Sequence, residues 1–271
     1  MDAEHRMASR TVAKQRILRL TQDNHMRRSL CCTLALAALA VSPMLRAQMA
    51  PAGAPPAGAK PAQEEKATPI ANGGIFVPGW KATVDANAVK QGQSEKDSSF
   101  KTEGSGFHVM TGPALTYYNP KNAATGDYTV MATFNEPHYM NRNDHPHPYG
   151  IFIAGNDMGT PEESGLYCAA YGNGNFIVRG FGPAPFQMNG RRGEANEAVH
   201  KAAGPGEPVS QSISMQVKGD KVSCIINNTT VATYSKADLV AAGKLKSTDG
   251  VVGLRFAHNT DATVTDFMVM K

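Results

Sequence analysis

The chain has 271 residues, of which 41% are hydrophobic and 18% charged, and a formal net charge of +4. That composition is globular and long enough for one large β-domain or two small ones. The positive balance is local: residues 1–47 hold eight Lys or Arg against three Asp or Glu, leaving 19 basic and 20 acidic residues for the remainder. With a net charge of −1 beyond the first segment, the electrostatic argument for a nucleic-acid partner is lost.

The first segment reads as an export signal. An apolar run, Leu30 to Val41, follows Arg27-Arg28 and precedes Ser42-Pro43-Met44-Leu45-Arg46-Ala47. A charged region, a short apolar stretch and a small residue at a cleavage point make a secretory signal, and the run is too short for a comfortable membrane span. Met26 would begin a signal of ordinary length. The expected location is periplasmic or secreted, with no membrane span once the signal is removed. Residues 48–72 are written largely in Ala, Pro, Gly and charge, and nothing there can cover a core. The segment is expected to be an extended, disordered tether.

From residue 73 the pattern is that of short strands. They are expected at about Phe76 to Lys81, Phe100 to Glu103, Phe107 to Met110 and Ala114 to Tyr118. In Asp127 to Asn135, Tyr128, Val130, Ala132 and Phe134 fall on one side and Thr129 and Thr133 on the other, as in a strand with one core face. The stretch from His145 to Gly182 organises the rest. Its three apolar segments, Tyr149 to Ala154, Leu166 to Tyr171 and Phe176 to Phe181, are separated by turn residues, and Gly172-Asn173-Gly174-Asn175 joins the last two as a hairpin. Residues 182–208 have little regular pattern, and a connection of that length is usually functional or mobile. Strands follow from Ile213 to Val217, Val222 to Ile226 and Thr230 to Tyr234. Ser235-Lys236-Ala237-Asp238 reads as the capping box of one short helix through Ala242, with Gly243 placed to stop it. Val251 to Ala257 and Ala262 to Met270 close the chain. The economical arrangement is all-β, two antiparallel sheets packed face to face as a jelly-roll sandwich over residues 73–271.

The run Val217-Lys218-Gly219-Asp220-Lys221-Val222-Ser223-Cys224-Ile225-Ile226-Asn227-Asn228-Thr229-Thr230-Val231 resembles the strand, Gly-Asp turn, strand, Asn turn signature of laminin-G-like and concanavalin A-like jelly rolls. Gly250-Val251-Val252-Gly253-Leu254-Arg255-Phe256, followed by Val264-Thr265-Asp266-Phe267, is similar to the last two strands of that fold, including domains grouped with the 3-keto-disaccharide hydrolases. The resemblance implies an exported protein near glycans that binds them or cleaves a glycosidic bond. Jelly-roll glycosidases that cleave β-glucans carry an E-x-D-x-x-E strand, whose alternate carboxylates reach one face. This chain has no such strand, and its acids, including Asp157, Glu162, Glu163, Glu194 and Glu197, sit in expected turns and loops.

Candidate site residues lie in two places. His138, His145 and His147 cluster around Asn141-Arg142-Asn143-Asp144 and are the candidates for a metal shell. Pro146 and Pro148 argue against a shared side for His145 and His147, because a polyproline-like segment repeats every three residues. The reading is therefore an ordinary polar loop, with no metal or cofactor. Glu194, Glu197 and His200 share the long loop with Arg191 and Arg192 and are the candidates for an acid and a base; a solvated loop is the simpler alternative. Arg179 interrupts an apolar strand, so it faces a groove or pairs with a carboxylate. Trp80 reads as core, while Tyr117, Tyr118, Tyr139, Tyr149, Tyr171 and Phe181 are the aromatic platforms on offer.

The expected ligand is a carbohydrate, met by His145, His147, Tyr149, Tyr171, Arg179 and Arg191. A glycoside hydrolase of the 3-keto-disaccharide type and a non-catalytic envelope or adhesion module are the alternatives. Cys168 and Cys224 each fall in an expected strand. The simpler reading is two small buried thiols, although an oxidising compartment permits a disulfide.

Overall fold

A computed structural model describes residues 66–271. The export signal and residues 48–65 of the tether lie outside the described residues. The described chain forms strands β1 (Gly74–Ile75) and β2 (Lys81–Val84), helix α1 (Ala86–Lys90), a 3-10 turn (Glu95–Asp97), β3 (Ser99–Glu103), β4 (Gly106–Met110), β5 (Leu115–Ala124) and β6 (Tyr128–Glu136). Next come β7 (Tyr149–Asn156), β8 (Ser164–Ala170), β9 (Asn175–Phe181), β10 (Phe186–Gln187), β11 (Glu194–Ala195), β12 (Val209–Lys218), β13 (Lys221–Ile226) and β14 (Thr229–Ser235). Helix α2 (Lys236–Leu239), β15 (Gly250–Phe256) and β16 (Asp261–Met270) complete it.

These strands make the expected all-β sandwich. Sheet I runs β1-β3-β4-β16-β6-β12-β13-β14, and sheet II runs β10-β9-β8-β7-β15-β5-β2 with β11 beside β9. Every pairing is antiparallel except β1 with β3. Alternation decides which residues meet between the sheets. On β6, Tyr128, Val130, Ala132 and Phe134 are buried while Thr129 and Thr133 are only partly so. The inward residues of sheet II answer them: Tyr117 of β5, Tyr149 and Ile151 of β7, Leu166 and Cys168 of β8, Val178 of β9, and Leu254 and Phe256 of β15, all fully buried. Phe134 stacks on Tyr149 with ring centroids 5.5 Å apart, and Phe100 stacks on Tyr117 at 4.4 Å. Full burial of a side chain of this size contributes roughly 1.5–3 kcal/mol.

Turns follow their residue types. Asn227 and Asn228 both take positive φ (49° and 65°) between β13 and β14, as a two-residue hairpin loop requires. Gly174 takes φ 90° in the hairpin between β8 and β9.

Several expectations change. Of the strand placed at Phe76 to Lys81 only Lys81 is in a strand, as the first residue of β2; Phe76 to Trp80 form the connection from β1, because Pro78 lacks an N–H for a ladder and Gly79 adopts φ 80°. One helix becomes two short ones, and α2 ends at Leu239 rather than Ala242 although its Ser235–Asp238 capping box is formed. The unpatterned loop 182–208 contains β10 and β11, both paired with β9. Residues 66–72, assigned to the tether by composition, hydrogen-bond to the sandwich: Thr68 N donates to Asn259 Oδ1 at 2.7 Å and Ile70 N to Asp97 O at 2.9 Å.

Cys168 and Cys224 are joined as a disulfide, with Cα atoms 5.9 Å apart. This corrects the reading of two separate thiols. Cys168 points inward from sheet II and Cys224 inward from sheet I, so the bond crosses the core. Among the described residues no helix is long and apolar enough to cross a membrane.

Candidate functional site

The residues of sheet II that alternate with its core set face outward, and they fall into two regions. Phe152 of β7, Tyr167 and Ala169 of β8 and Ile177 of β9 form a small apolar cluster, joined by Met158, Tyr171 and Phe181. Gly165 of β8 makes room for it, since a Cβ there would lie 2.2 Å from the Phe152 ring. This cluster covers part of the outer face. Beside it a cleft of about 700 Å³ opens, within the range of ordinary ligand sites.

The floor of the cleft is Tyr167, Tyr171 and Ile177. One wall is Arg255, which leaves β15 on the outer face opposite Gly150 in register. With no side chain at that neighbour, the guanidinium reaches the rings of Tyr167 and Phe181, lying 5.2 and 5.0 Å from their centroids. Asp85 holds it in a two-pronged ion pair, Nη1 to Oδ1 and Nη2 to Oδ2 both at 2.6 Å. Burial opposes the charge of Arg255, but the adjacent Asp85 outweighs burial and moves its pKa upward. Asp85 occupies the N-cap position of α1 yet makes no side-chain cap bond, because Arg255 takes its carboxylate.

The opposite rim is built by the β8–β9 hairpin and the loop after β10. Asn173 and Asn175 bring planar amides, and Arg179, Arg191 and Arg192 bring guanidinium groups. Arg179 stands opposite Tyr167 in the β8–β9 register, donates from Nη2 to the Arg191 carbonyl, and keeps a buried Nε without a hydrogen-bond partner. Burial raises the Tyr171 phenol above its ordinary pKa, against the opposing charge of Arg179. The phenol is therefore neutral and able to donate.

The third side is the histidine loop. Despite the intervening Pro146, His145 and His147 converge, with Nε2 atoms 3.0 Å apart, and His258 joins from 111 residues away. His147 contacts the His258 carbonyl through Nδ1 at 2.5 Å, so that nitrogen carries a proton. Burial, then the neighbouring His258, lowers His147 to about 3, leaving a neutral ring whose Nε2 accepts from His145. His145 Nδ1 meets Asp144 Oδ1 at 2.5 Å. His138 is elsewhere, its Nδ1 turned to the Gly206 carbonyl at 3.3 Å, after which Met140 bends the chain with φ 59°. Among the described residues no group of three or more His, Cys, Asp or Glu is arranged to hold a metal ion.

The cleft thus gathers His145, His147, Tyr171, Arg179 and Arg191 from the expected ligand set. Tyr149 does not belong to it. As the first residue of β7 it points inward, is fully buried and stacks on Phe134, so no ligand can reach it. The expected acid and base candidates are also elsewhere. Glu194 caps its own loop by accepting from Gly190 N, Glu197 lines a separate shallow pocket of about 140 Å³, and the exposed His200 meets the Ser210 carbonyl through Nδ1 at 2.8 Å. Among the described residues lining the cleft the only carboxylate is Asp85, and both its oxygens are engaged by Arg255.

Sequence reasoning missed Tyr167, Asn173, Asn175, Arg255, Asp85 and His258, and named Arg192 only as part of the long loop. Arg255 carried a usable signal, since it interrupts an apolar strand just as Arg179 does. Asp85 carried none, because its partner lies 170 residues away.

A scan against protein-family models and a search of curated proteins match nothing to this chain. Among solved structures it is similar to the carbohydrate binding module CBM66 from Bacillus subtilis, at 9% identity and a TM-score of 0.47 over 71% of this chain and 96% of that one. A protein of unknown function with a galectin-like fold from Bacillus subtilis gives 12% identity and 0.43, covering 70% and 88%. A putatively assigned glycosyl hydrolase from Parabacteroides distasonis gives 9% and 0.41, covering 72% and 89%. Likenesses of this extent carry no argument about a ligand, which rests on the cleft itself.

Proposed function

We propose that this chain is an exported carbohydrate-binding jelly-roll domain that holds its glycan in the outer-face cleft of sheet II. The observation that carries the reading is the lining: the aromatic side chains of Tyr167 and Tyr171 beside the planar polar groups of Asn173, Asn175 and Arg179. A sugar ring offers apolar C–H faces and a rim of hydroxyls. An aromatic face flanked by fixed planar donors and acceptors complements both.

Binding without cleavage is favoured over hydrolysis. Hydrolysis of a glycosidic bond ordinarily needs two carboxyl groups on either side of that bond. Asp85 is the one carboxylate lining the cleft among the described residues, and it is spent on Arg255. Export is supported by the apolar run Leu30 to Val41 behind Arg27-Arg28, and by the Cys168–Cys224 disulfide, which persists in oxidising compartments. Periplasmic or secreted localisation is part of the proposal.

The test is a glycan array followed by calorimetry on the full chain, with reducing-sugar release measured alongside. Saturable binding that weakens at least tenfold in Tyr171→Ala, with no product released, is the expected result. Release of sugar that survives in Tyr171→Ala but stops in Glu197→Gln would replace this reading with the hydrolase one. No binding across the array would end it.

A further inference from the structure

The charge of the cleft differs from that of the chain around it. The described residues include five arginines, Arg142, Arg179, Arg191, Arg192 and Arg255, and four of them line this one cleft. None of the lysines among the described residues does. Beyond residue 47 the chain has slightly more acidic than basic residues, so a cluster of guanidinium groups is not a product of overall composition. Lysine would supply the same charge; guanidinium adds a rigid fork that matches planar oxyanions with two parallel hydrogen bonds.

Only one of the four is neutralised. Arg255 is paired with Asp85, and Glu163 also lies within electrostatic range of it. Arg179, Arg191 and Arg192 make no ion pair among the described residues. Glu194 is near them in sequence but is outside the lining and turned to Gly190 N. On the histidine side, Asp144 is engaged with His145. Arg179 is oriented by the Arg191 carbonyl, to which its Nη2 donates, and it stands opposite Tyr167 in the strand register.

From this we infer that the cleft takes an acidic glycan, one whose sugar carries a carboxylate or sulfate placed against Arg179, Arg191 and Arg192 while the ring rests against Tyr171. The inference rests on the carbohydrate-binding reading and adds the substrate class. The oxyanion is the shared chemistry of both sources. Side chains at the mouth, Arg191 and Arg192, draw it in from water, and Arg179 on the sheet fixes its orientation.

The test uses the full chain and a panel of oligosaccharides of one length in gluco, galacto and manno configurations, each as the uronic acid, its neutral methyl ester and a sulfate ester. Calorimetry at low and physiological salt reads the ratio of affinities. An acid or sulfate form is expected to bind at least tenfold more tightly than the matched methyl ester, with the preference shrinking as salt rises. Preference for one of the two anions identifies the source. In Arg191→Ala/Arg192→Ala, whose altered side chains are exposed, the acid-to-ester ratio should fall towards one with the melting temperature unchanged. Equal binding of ester and acid would overturn this inference while leaving the glycan-binding reading intact. No binding by any form, neutral or acidic, would remove both.

Discussion

Neighbouring residues on sheet II serve opposite ends. On β8, Cys168 joins the two sheets while Tyr167, one position earlier, floors the cleft; on β9, Val178 is core while Arg179 faces the cleft; on β15, Leu254 is core while Arg255 forms a wall. The inner set is apolar, interchangeable in kind and fully excluded from water. The outer set is aromatic and polar, and each member is held by a particular partner, such as Asp85 for Arg255 and the Arg191 carbonyl for Arg179. The inner face specifies that the sandwich exists, and the outer face specifies what it can meet.

The largest expected effect lies on the inner face. Tyr149→Ala should destabilise the fold by about 4 kcal/mol in denaturant unfolding, through the cavity left against Phe134. Tyr149→Phe should be nearly neutral, since the hydroxyl it removes is buried without a hydrogen-bond partner. Neither change touches the cleft, so ligand affinity measured below the unfolding transition should stay put. A selective loss of binding in Tyr149→Phe would break the division between faces.

Next is the cross-sheet bond. Cys168→Ala/Cys224→Ala opens a link between residues 56 apart and is expected to cost about 3 kcal/mol, read as a lowered melting temperature that no longer responds to reductant. An unchanged melting temperature would show that the apolar interior alone suffices.

Asp85→Asn tests whether the outer face also contributes to stability. It leaves the buried Arg255 guanidinium without its counter-charge, and a loss of roughly 2 kcal/mol is expected because the Asp85 side chain is 32% exposed and partly screened. Stability unchanged within about 0.5 kcal/mol would mean that solvent replaces Asp85 at no cost.

The smallest effect depends on pH and lies where the interior meets its end. Glu136 is buried, and desolvation, despite a hydrogen bond from Met140 N, raises its pKa from 4.5 to about 7. A carboxyl that holds its proton more tightly when folded contributes stability fully below pH 4.5 and loses it as the pH rises through 7. Glu136→Gln should abolish that loss, making the variant more stable than the parent at pH 8 by roughly 1 to 2 kcal/mol, with little difference at pH 4. A parent and variant with parallel pH profiles would refute the assignment.

Much of the architecture was legible in the residues, for a local reason. A two-residue alternation such as Tyr128, Val130, Ala132 and Phe134 is a property of a few consecutive side chains, and it states which face is apolar wherever the strand goes. Turn chemistry is equally local, so Gly219-Asp220, Asn227-Asn228 and the Ser235 capping box were placed correctly. The failures on the fold side came where a backbone preference overrode apolar content, as at Pro78-Gly79, or where pairing rescued an unpatterned segment, as in β10 and β11. Arg179 and the histidine pair, which stand out in their own stretches, do line the cleft.

Sequence by itself determined that residues 73–271 form a β-sandwich, since alternation and turn chemistry are written within a few residues of one another. Tertiary structure decided that Tyr149 is core and Arg255 is cleft, that Cys168 finds Cys224, and that Asp85 and His258 arrive at the same cavity. Those outcomes depend on strand order, which sets residues 56 to 170 positions apart side by side. No local pattern carries that information, because it resides in how one sheet is laid against the other.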